Sequence, residues 1–130
     1  MSFWILVITG DGQELEKRLQ GKKWPIFQRT RHRQELKKGD QVIIYHGGYH
    51  GSKSFVGTFK ISSGVSPTGP DQYSLDFSEV NLWKNPVGIY DILDNLGFVV
   101  RKDNWGIYFQ GGVSRLPEKD YKTILAAANL

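Results

Sequence analysis

Aromatic side chains are interleaved with basic ones in one short segment, and this pattern could bind a planar, anionic ligand. Trp24 and Phe27 lie in a stretch too polar and too interrupted to be an ordinary core element. An aromatic face offers a stacking surface for an extruded base, worth about 1–3 kcal/mol per base. The neighbouring cations can hold phosphates; they are Lys22, Lys23, Arg29, Arg31 and Arg33. The alternative is that Trp24 plugs one end of a barrel, and composition alone leaves both open.

The positive charge of the chain is concentrated in the same region. The 130 residues carry a formal net charge of +4. Residues 17–38 hold nine of the 17 basic side chains and one of the 13 acidic ones, so this segment carries +8 and the remainder −4. Such a concentrated positive field attracts a polyanion. A merely solvated basic face is the alternative.

The histidines offer little support for catalysis or metal binding. His46 and His50 are four residues apart, but Gly47, Gly48 and Gly51 disfavour a helix there. A helical two-histidine zinc site is therefore not expected. With no cysteine in the chain, disulfides and thiolate metal sites are excluded. We expect no metal, no cofactor and no catalytic residue.

The length of the chain and its apolar runs indicate the number of domains and whether the chain could cross a membrane. A chain of 130 residues corresponds to one domain, and we predict a single domain over 1–130. The longest apolar run, Phe3 to Ile8, is far shorter than the roughly 18 residues that span a bilayer. It also lacks the flanks of a signal peptide. We expect a cytoplasmic protein without a membrane partner.

Hydrophobic periodicity predicts the elements that must position these side chains. The run from Phe3 to Ile8 predicts a central strand covered on both faces. Asp11 can cap a helix that ends near Gly21. Residues 22–38, interrupted by Pro25, are expected to be mostly loop, which would place Trp24 on a cationic loop beside an open cavity.

The rest of the chain predicts further strands and two helices. Strands are expected over 41–46, 55–61, 73–82 and 105–109, with a loop over the Ser-, Gly- and Pro-rich residues 62–71. The alternation changes phase at Ser78-Glu79, which predicts a bulge. Pro117 suits the first turn of a last helix. This order favours an α+β fold, a small mixed or antiparallel barrel of about five or six strands flanked by helices.

Taken together and in order, motifs along nearly the whole chain resemble the EVE domain, in its stand-alone archaeal and bacterial branch. They are the opening Phe3–Val7 strand, Lys23-Trp24 with Arg29-Thr30-Arg31, Leu36–Asp40 leading into Val42–His46, Val56–Phe59, Asn104-Trp105-Gly106, Gly111–Leu116 and Asp120-Tyr121.

The resemblance implies a PUA-like β-barrel, related to YTH domains, and non-catalytic recognition of RNA or DNA. In some relatives an aromatic pocket takes a flipped, modified base. Trp24 matches the aromatic at the pocket mouth, Tyr45 and His46 lie where the second strand would line it, and Trp105 matches a recurring aromatic of this branch. Residues 62–72 hold no Trp where a YTH-type methyl cage takes its second one, so a full N6-methyladenine cage is not implied.

The predicted site therefore has two parts. The predicted base pocket is Trp24, Phe27, Tyr45, His46 and Trp105, and the predicted phosphate contacts are Lys22, Lys23, Arg29, Arg31 and Arg33. Two other functions stay open: a small-molecule sensor or protein-interaction module that uses the same cavity, and a small hydrolase that relies on His46 and His50. The hydrolase lacks a visible nucleophile–base pair.

Overall fold

The computed structural model of the chain describes residues 1–48 and 51–128. The described part contains six strands, three α-helices and three 3-10 segments. The strands are β1 Phe3–Ile8, β2 Lys23–Phe27, β3 Gln41–His46, β4 Ser54–Gly69, β5 Gln72–Gly88 and β6 Val113–Leu116. The α-helices are α1 Gly12–Gly21, α2 Ile89–Ile92 and α3 Glu118–Ala127, and the 3-10 segments are Arg33–Glu35, Leu93–Asn95 and Lys102–Phe109.

All six strands form one mixed sheet in the order β2-β5-β4-β3-β1-β6. β1 and β3 pair in parallel, and every other neighbouring pair is antiparallel. The two long strands, β4 and β5, change register several times along their pairing. Such irregularities bend a sheet and increase its twist. The predicted fold class, an α+β fold with a small curled mixed sheet and flanking helices, is confirmed.

The central strand β1 is covered on both faces, as its unbroken apolar sequence predicts. Trp4, Leu6 and Ile8 join an apolar cluster that also contains residues from the other five strands. This cluster therefore fills the inside of the curl. Ile5 points to the opposite face and joins a second cluster, which includes Ile124 of α3.

The carboxylate of Asp40 connects the first residues of the chain to the start of β3. This side chain is buried, with 3% exposure. It accepts hydrogen bonds from the Ser2 backbone N–H at 2.9 Å, from the Trp4 indole Nε1 at 2.9 Å and from the Lys37 backbone N–H at 3.0 Å. These bonds close the turn around Gly39, whose φ of 93° suits glycine.

Two local predictions are confirmed in detail. The Asp11 carboxylate caps α1 by accepting from the Gln13 backbone N–H at 3.1 Å. The bulge predicted at Ser78-Glu79 is present: Thr58 pairs with Asn81 and Lys60 with Ser78, so β5 has one extra residue there. Glu79 takes a positive φ of 54° at this point. The helix α1 ends at Gly21, near the predicted position, but Lys22 rather than Gly21 adopts the left-handed conformation.

The predicted loop over residues 22–38 is wrong in its first part, where β2 lies. This strand pairs with β5, with Trp24 opposite Leu75 and Pro25 opposite Ser74. β2 is the edge of the sheet, and an edge strand tolerates a proline because one side of its backbone needs no partner. Pairing with a distant strand therefore overrides the local loop signals.

Two other predictions about strands are wrong, and one strand was not predicted. Residues 62–71 are largely strand, because β4 and β5 extend into a long hairpin whose turn is at Pro70 and Asp71. Residues 105–109 belong to a 3-10 segment rather than a strand. The sixth strand, β6, was not predicted; it is only four residues long and pairs with β1. None of the helices in the described ranges is long and apolar enough to cross a membrane.

We expect Asp40→Ala to lower the free energy of unfolding by about 2–4 kcal/mol. The substitution removes a charged acceptor and leaves the buried Trp4 indole N–H without a partner. Urea denaturation followed by tryptophan fluorescence measures the change. Asp94→Ala, at an exposed carboxylate, is the control and should stay within about 0.5 kcal/mol of the wild type. Equal effects of the two substitutions would contradict the role given to Asp40.

Candidate functional site

A pocket of about 780 Å³ opens between the two edge strands of the sheet. β2 contributes Trp24 to Phe27, and β6 contributes Val113. β2 and β6 are the opposite ends of the strand order, so they can share one pocket only because the sheet curls. Residues 105–106 and 109–112 and the glycines that follow β3 also contribute to the lining.

The structure brings four of the five predicted pocket residues together. Trp24, Phe27, Tyr45 and Trp105 all line the pocket, although they come from three separate parts of the chain. His46 does not line it. Its side chain points elsewhere, and Nε2 lies 2.7 Å from the Gly10 carbonyl oxygen, a distance that fits a hydrogen bond from the protonated nitrogen.

Trp24 forms part of the floor of the pocket and is not an open stacking platform. Its indole is only 2% exposed and contacts Phe59 and Phe77, with ring centroids 5.6 Å and 6.4 Å away. The prediction that Trp24 lies on a cationic loop with its ring facing open space is therefore wrong. The ring contributes to the core and to the pocket at the same time, which combines the two alternatives that composition left open.

Tyr45 also belongs to the floor. Its ring stacks on Phe109 with centroids 4.4 Å apart. Gly47 allows this arrangement, because a Cβ at that position would lie 2.8 Å from Cε2 of Tyr45. The Tyr45 hydroxyl is buried and has no hydrogen-bond partner among the described residues. Burial is the main cause that raises the pKa of this phenol well above its ordinary value, and the nearby Tyr90 adds to the shift.

Two aromatic side chains remain accessible at the rim of the pocket. Phe27, the last residue of β2, is 61% exposed. Trp105 is half-buried and meets Phe109 and Tyr90 edge-on, with centroid distances of 5.8 Å and 5.5 Å. Phe27 and Trp105 are thus the aromatic faces that a ligand could reach without rearrangement of the core.

The five predicted phosphate contacts lie outside the pocket lining. Lys22, Arg29 and Arg31 are exposed. Arg29 and Arg31 flank Thr30, which lines the pocket, so their backbone positions are at its rim. Lys23 pairs with Asp76 at 2.9 Å. The Arg33 guanidinium lies 4.2 Å from the ring centroid of Tyr73.

Sequence reasoning did not assign a role to Arg18, yet this residue lines the pocket. Its guanidinium carbon lies 4.7 Å from the centroid of the Trp24 ring, and its Nε donates to Glu14 Oε1 at 3.2 Å. Burial lowers the pKa of this guanidinium, and the bond and charge of Glu14 partly offset that effect. The i,i+4 spacing of Glu14 and Arg18 on α1 predicts their ion pair but does not indicate that Arg18 faces the pocket. The exposed Lys53 is the second cation of the lining.

The remaining histidines do not converge with these groups. The His32 Nδ1 contacts the Glu35 carboxylate, which also accepts from Arg115 at 2.9 Å. These two hydrogen bonds lower the pKa of Glu35, the bond from His32 having the larger effect. His50 lies outside the described residues. Within 1–48 and 51–128, no group of three or more His, Asp or Glu side chains is arranged to hold a metal ion.

Comparison with known proteins gives a family match and several structural matches. The model of the EVE domain family matches residues 2–127. The fold is similar to that of a protein from Agrobacterium tumefaciens, at 15% identity and a TM-score of 0.75, over 100% of this chain and 94% of the other. It is also similar to human THYN1, solved in complex with DNA that contains 5-methylcytosine, at 12% identity and a TM-score of 0.72, over 100% and 99% of the two chains.

A third similar structure is the N-terminal domain of McrB from Staphylothermus marinus, at 14% identity and a TM-score of 0.69, over 95% of this chain and 93% of the other. At these identities the structural likeness establishes the fold. A search among curated proteins found no match.

The buried phenol of Tyr45 predicts a specific pH dependence. A raised pKa in the folded state gives a stabilising contribution that is complete below the pKa of the unfolded state, about 10, and is lost as the pH rises above it. We expect Tyr45→Phe to change the unfolding free energy at pH 7 by less than about 1 kcal/mol, because the hydroxyl has no described partner to lose. We expect the loss of stability between pH 9 and about pH 11 to be smaller in the variant.

Urea denaturation at several pH values measures this difference. Tyr73→Phe, which removes a phenol and keeps Tyr45, is the matched control and should retain the alkaline loss of the wild type. An identical alkaline loss in Tyr45→Phe and the wild type would contradict the assignment.

Proposed function

The chain belongs to the EVE domain family, as the sequence motifs indicate, and from this premise we propose that it is a non-catalytic nucleic-acid-binding module. In this proposal a flipped base enters the pocket between β2 and β6, and the basic segment that follows β2 contacts the backbone. The observation that carries the proposal is the lining of the pocket, which combines aromatic rings with the two cations Arg18 and Lys53 and includes no acidic side chain among the described residues.

The size and the walls of the pocket suit a planar ring. Its volume of about 780 Å³ falls within the roughly 300–1,000 Å³ that is typical of ligand sites. Flipping a base out of a duplex costs a few kcal/mol. Stacking on the accessible rings of Phe27 and Trp105, above the floor formed by Trp24 and Tyr45, would offset that cost.

The distribution of charge supports a polyanionic ligand. Arg29 and Arg31 flank a pocket-lining residue, and Lys22 directly follows the helix that carries Arg18. Phosphates on either side of a flipped base would therefore meet cations at the rim of the pocket. Contacts of this kind add affinity that falls steeply with salt and carries no sequence information.

The comparison with human THYN1 indicates which ligand to test first. That protein shares the fold and was solved with DNA containing 5-methylcytosine. We therefore place duplex DNA with a modified base ahead of RNA as the ligand. A buried methyl group adds about 0.8 kcal/mol, so the preference for a modified base should be a few-fold unless the pocket also rejects the unmodified one.

A substitution at the rim tests the pocket without disturbing the core. We expect Phe27→Ala to weaken binding of labelled DNA duplexes about 5- to 150-fold, as for the loss of one base-stacking contact. Fluorescence anisotropy at low salt measures the affinity. Trp24→Ala is less informative, because loss of this buried ring would also destabilise the fold.

Val100→Ala is the matched control for Phe27→Ala. It removes an apolar side chain that is 77% exposed and does not line the pocket, so it should bind as the wild type does. Unchanged affinity in Phe27→Ala would contradict the pocket assignment. If the wild type binds no oligonucleotide at low salt, while a small molecule raises its melting temperature, the domain is a small-molecule sensor instead.

A charge substitution tests the rim. The double variant Arg29→Gln with Arg31→Gln should lower the affinity for all duplexes alike. The slope of log K against log salt concentration should also become shallower, by about 0.9 for each phosphate contact that is lost. Titrations at four or more salt concentrations measure this slope. Lys119→Gln with Lys122→Gln, on the exposed side of α3, is the control with equal charge loss. Equal slopes for the two double variants would place the phosphate contacts elsewhere.

A further inference from the structure

Arg18 places a cationic, planar group in the wall of the pocket, where it can do more than contribute positive charge. The side chain is only 17% exposed. Its guanidinium carbon lies 4.7 Å from the centroid of the Trp24 indole. Arginine stacks on aromatic faces because the guanidinium is planar and weakly hydrated. The group is therefore held against the floor and does not extend freely into solvent as the exposed Arg29 and Arg31 do.

Only one of the five N–H donors of Arg18 has an acceptor among the described residues. The Nε donates to Glu14 Oε1 at 3.2 Å. The two terminal nitrogens carry the other four N–H donors of the fork, and neither has an acceptor among the described residues. The carboxylate on one edge and the indole beneath it together restrict the orientation of the fork. These two nitrogens are not among the buried side-chain atoms that lack a partner, so they reach the solvent of the pocket and are free to donate to a bound ligand.

We infer that Arg18 is a specificity-determining residue that donates two hydrogen bonds to the edge of the flipped base. The inference rests on the proposed function. A fixed guanidinium fork matches two adjacent acceptors. Guanine offers O6 with N7, and cytosine offers O2 with N3. Adenine and thymine have no such adjacent pair: adenine N1 and N7 each lie beside the N6 amino donor, and the N3–H donor separates O2 from O4 in thymine. The pocket therefore selects guanine or cytosine over adenine and thymine.

A phosphate would also offer two acceptors, but it does not match the rest of the lining. Aromatic rings form the floor and much of the rim, and they cannot replace the water that a phosphate loses on burial. A planar base satisfies the stacking surface and the donor pair together. The exposed cations at the rim remain available for the backbone.

Duplexes with one target base opposite an abasic site test the inference, since an unpaired base flips at low cost. Four duplexes that differ only in the target base are compared by fluorescence anisotropy. We expect the wild type to bind the guanine duplex or the cytosine duplex at least about tenfold more tightly than the adenine and thymine duplexes. Duplexes with 7-deazaguanine or 3-deazacytosine, each lacking one acceptor of the pair, show which base supplies it.

Arg18→Lys keeps the charge and removes the fork, so we expect this discrimination to fall to about twofold or less. Arg101→Lys, at an exposed arginine outside the pocket, is the matched control and should keep it. Glu14→Ala removes the acceptor of the Arg18 Nε–H and so frees the fork without touching the ligand, and we expect a partial loss of discrimination with overall affinity little changed. If thermal unfolding shows that Arg18→Lys is not folded, this second variant tests the role of Arg18 in base discrimination.

The outcomes separate this inference from the function on which it rests. Binding of all four duplexes with equal affinity by the wild type overturns the inference and leaves the proposed function standing. Unchanged discrimination in a folded Arg18→Lys does the same. A uniform loss of affinity for all four duplexes in Arg18→Lys would assign Arg18 to the backbone and also overturns it. If the wild type binds no duplex at low salt, both the proposed function and the inference fail.

Discussion

The curl of the sheet is the constraint on which the rest of the structure depends. β2 and β6 are the outermost strands of six, yet both line the same pocket. The register changes along β4 and β5, including the extra residue at Glu79, bend the middle of the sheet and allow its two edges to approach. The same curl collects apolar side chains from all six strands into one interior cluster. A flat sheet of the same strands would have neither this core nor this pocket.

The buried aromatic residues of the pocket contribute to both stability and the site, whereas the exposed ones are available mainly for binding. Trp24 and Tyr45 are 2% exposed and pack against Phe59, Phe77 and Phe109, so their contribution to the pocket cannot be separated from their contribution to the core. Phe27 is largely exposed and Trp105 half-buried, so burial accounts less well for their presence. A rigid floor with accessible rings at the rim is a preformed site, which reduces the free energy lost in ordering side chains when a ligand binds.

Much of the candidate site was predictable because residue type carries part of the chemistry. Trp24, Phe27, Tyr45 and Trp105 were selected from aromatic character and from family motifs, and all four line one pocket. His46 was selected by its place in a strand, and its imidazole lies against the Gly10 carbonyl instead. Arg18 was counted among the basic residues but given no role, because nothing in its local sequence shows that α1 packs its guanidinium against Trp24.

By itself the sequence determined those features that depend on near neighbours: the buried strand Phe3–Ile8, the cap of α1 at Asp11, the bulge at Ser78-Glu79 and the concentration of charge over residues 17–38. The order of motifs along nearly the whole chain also identified the family. Only the tertiary structure decided that residues 23–27 are a strand, that Trp24 is buried and that Arg18 faces the pocket. The physical reason is separation along the chain. Trp24 pairs with Leu75, about fifty residues away, and the pocket exists only where two strands from opposite edges of the sheet meet. Pairing and burial of this kind depend on the whole curl, which no local pattern of residues encodes.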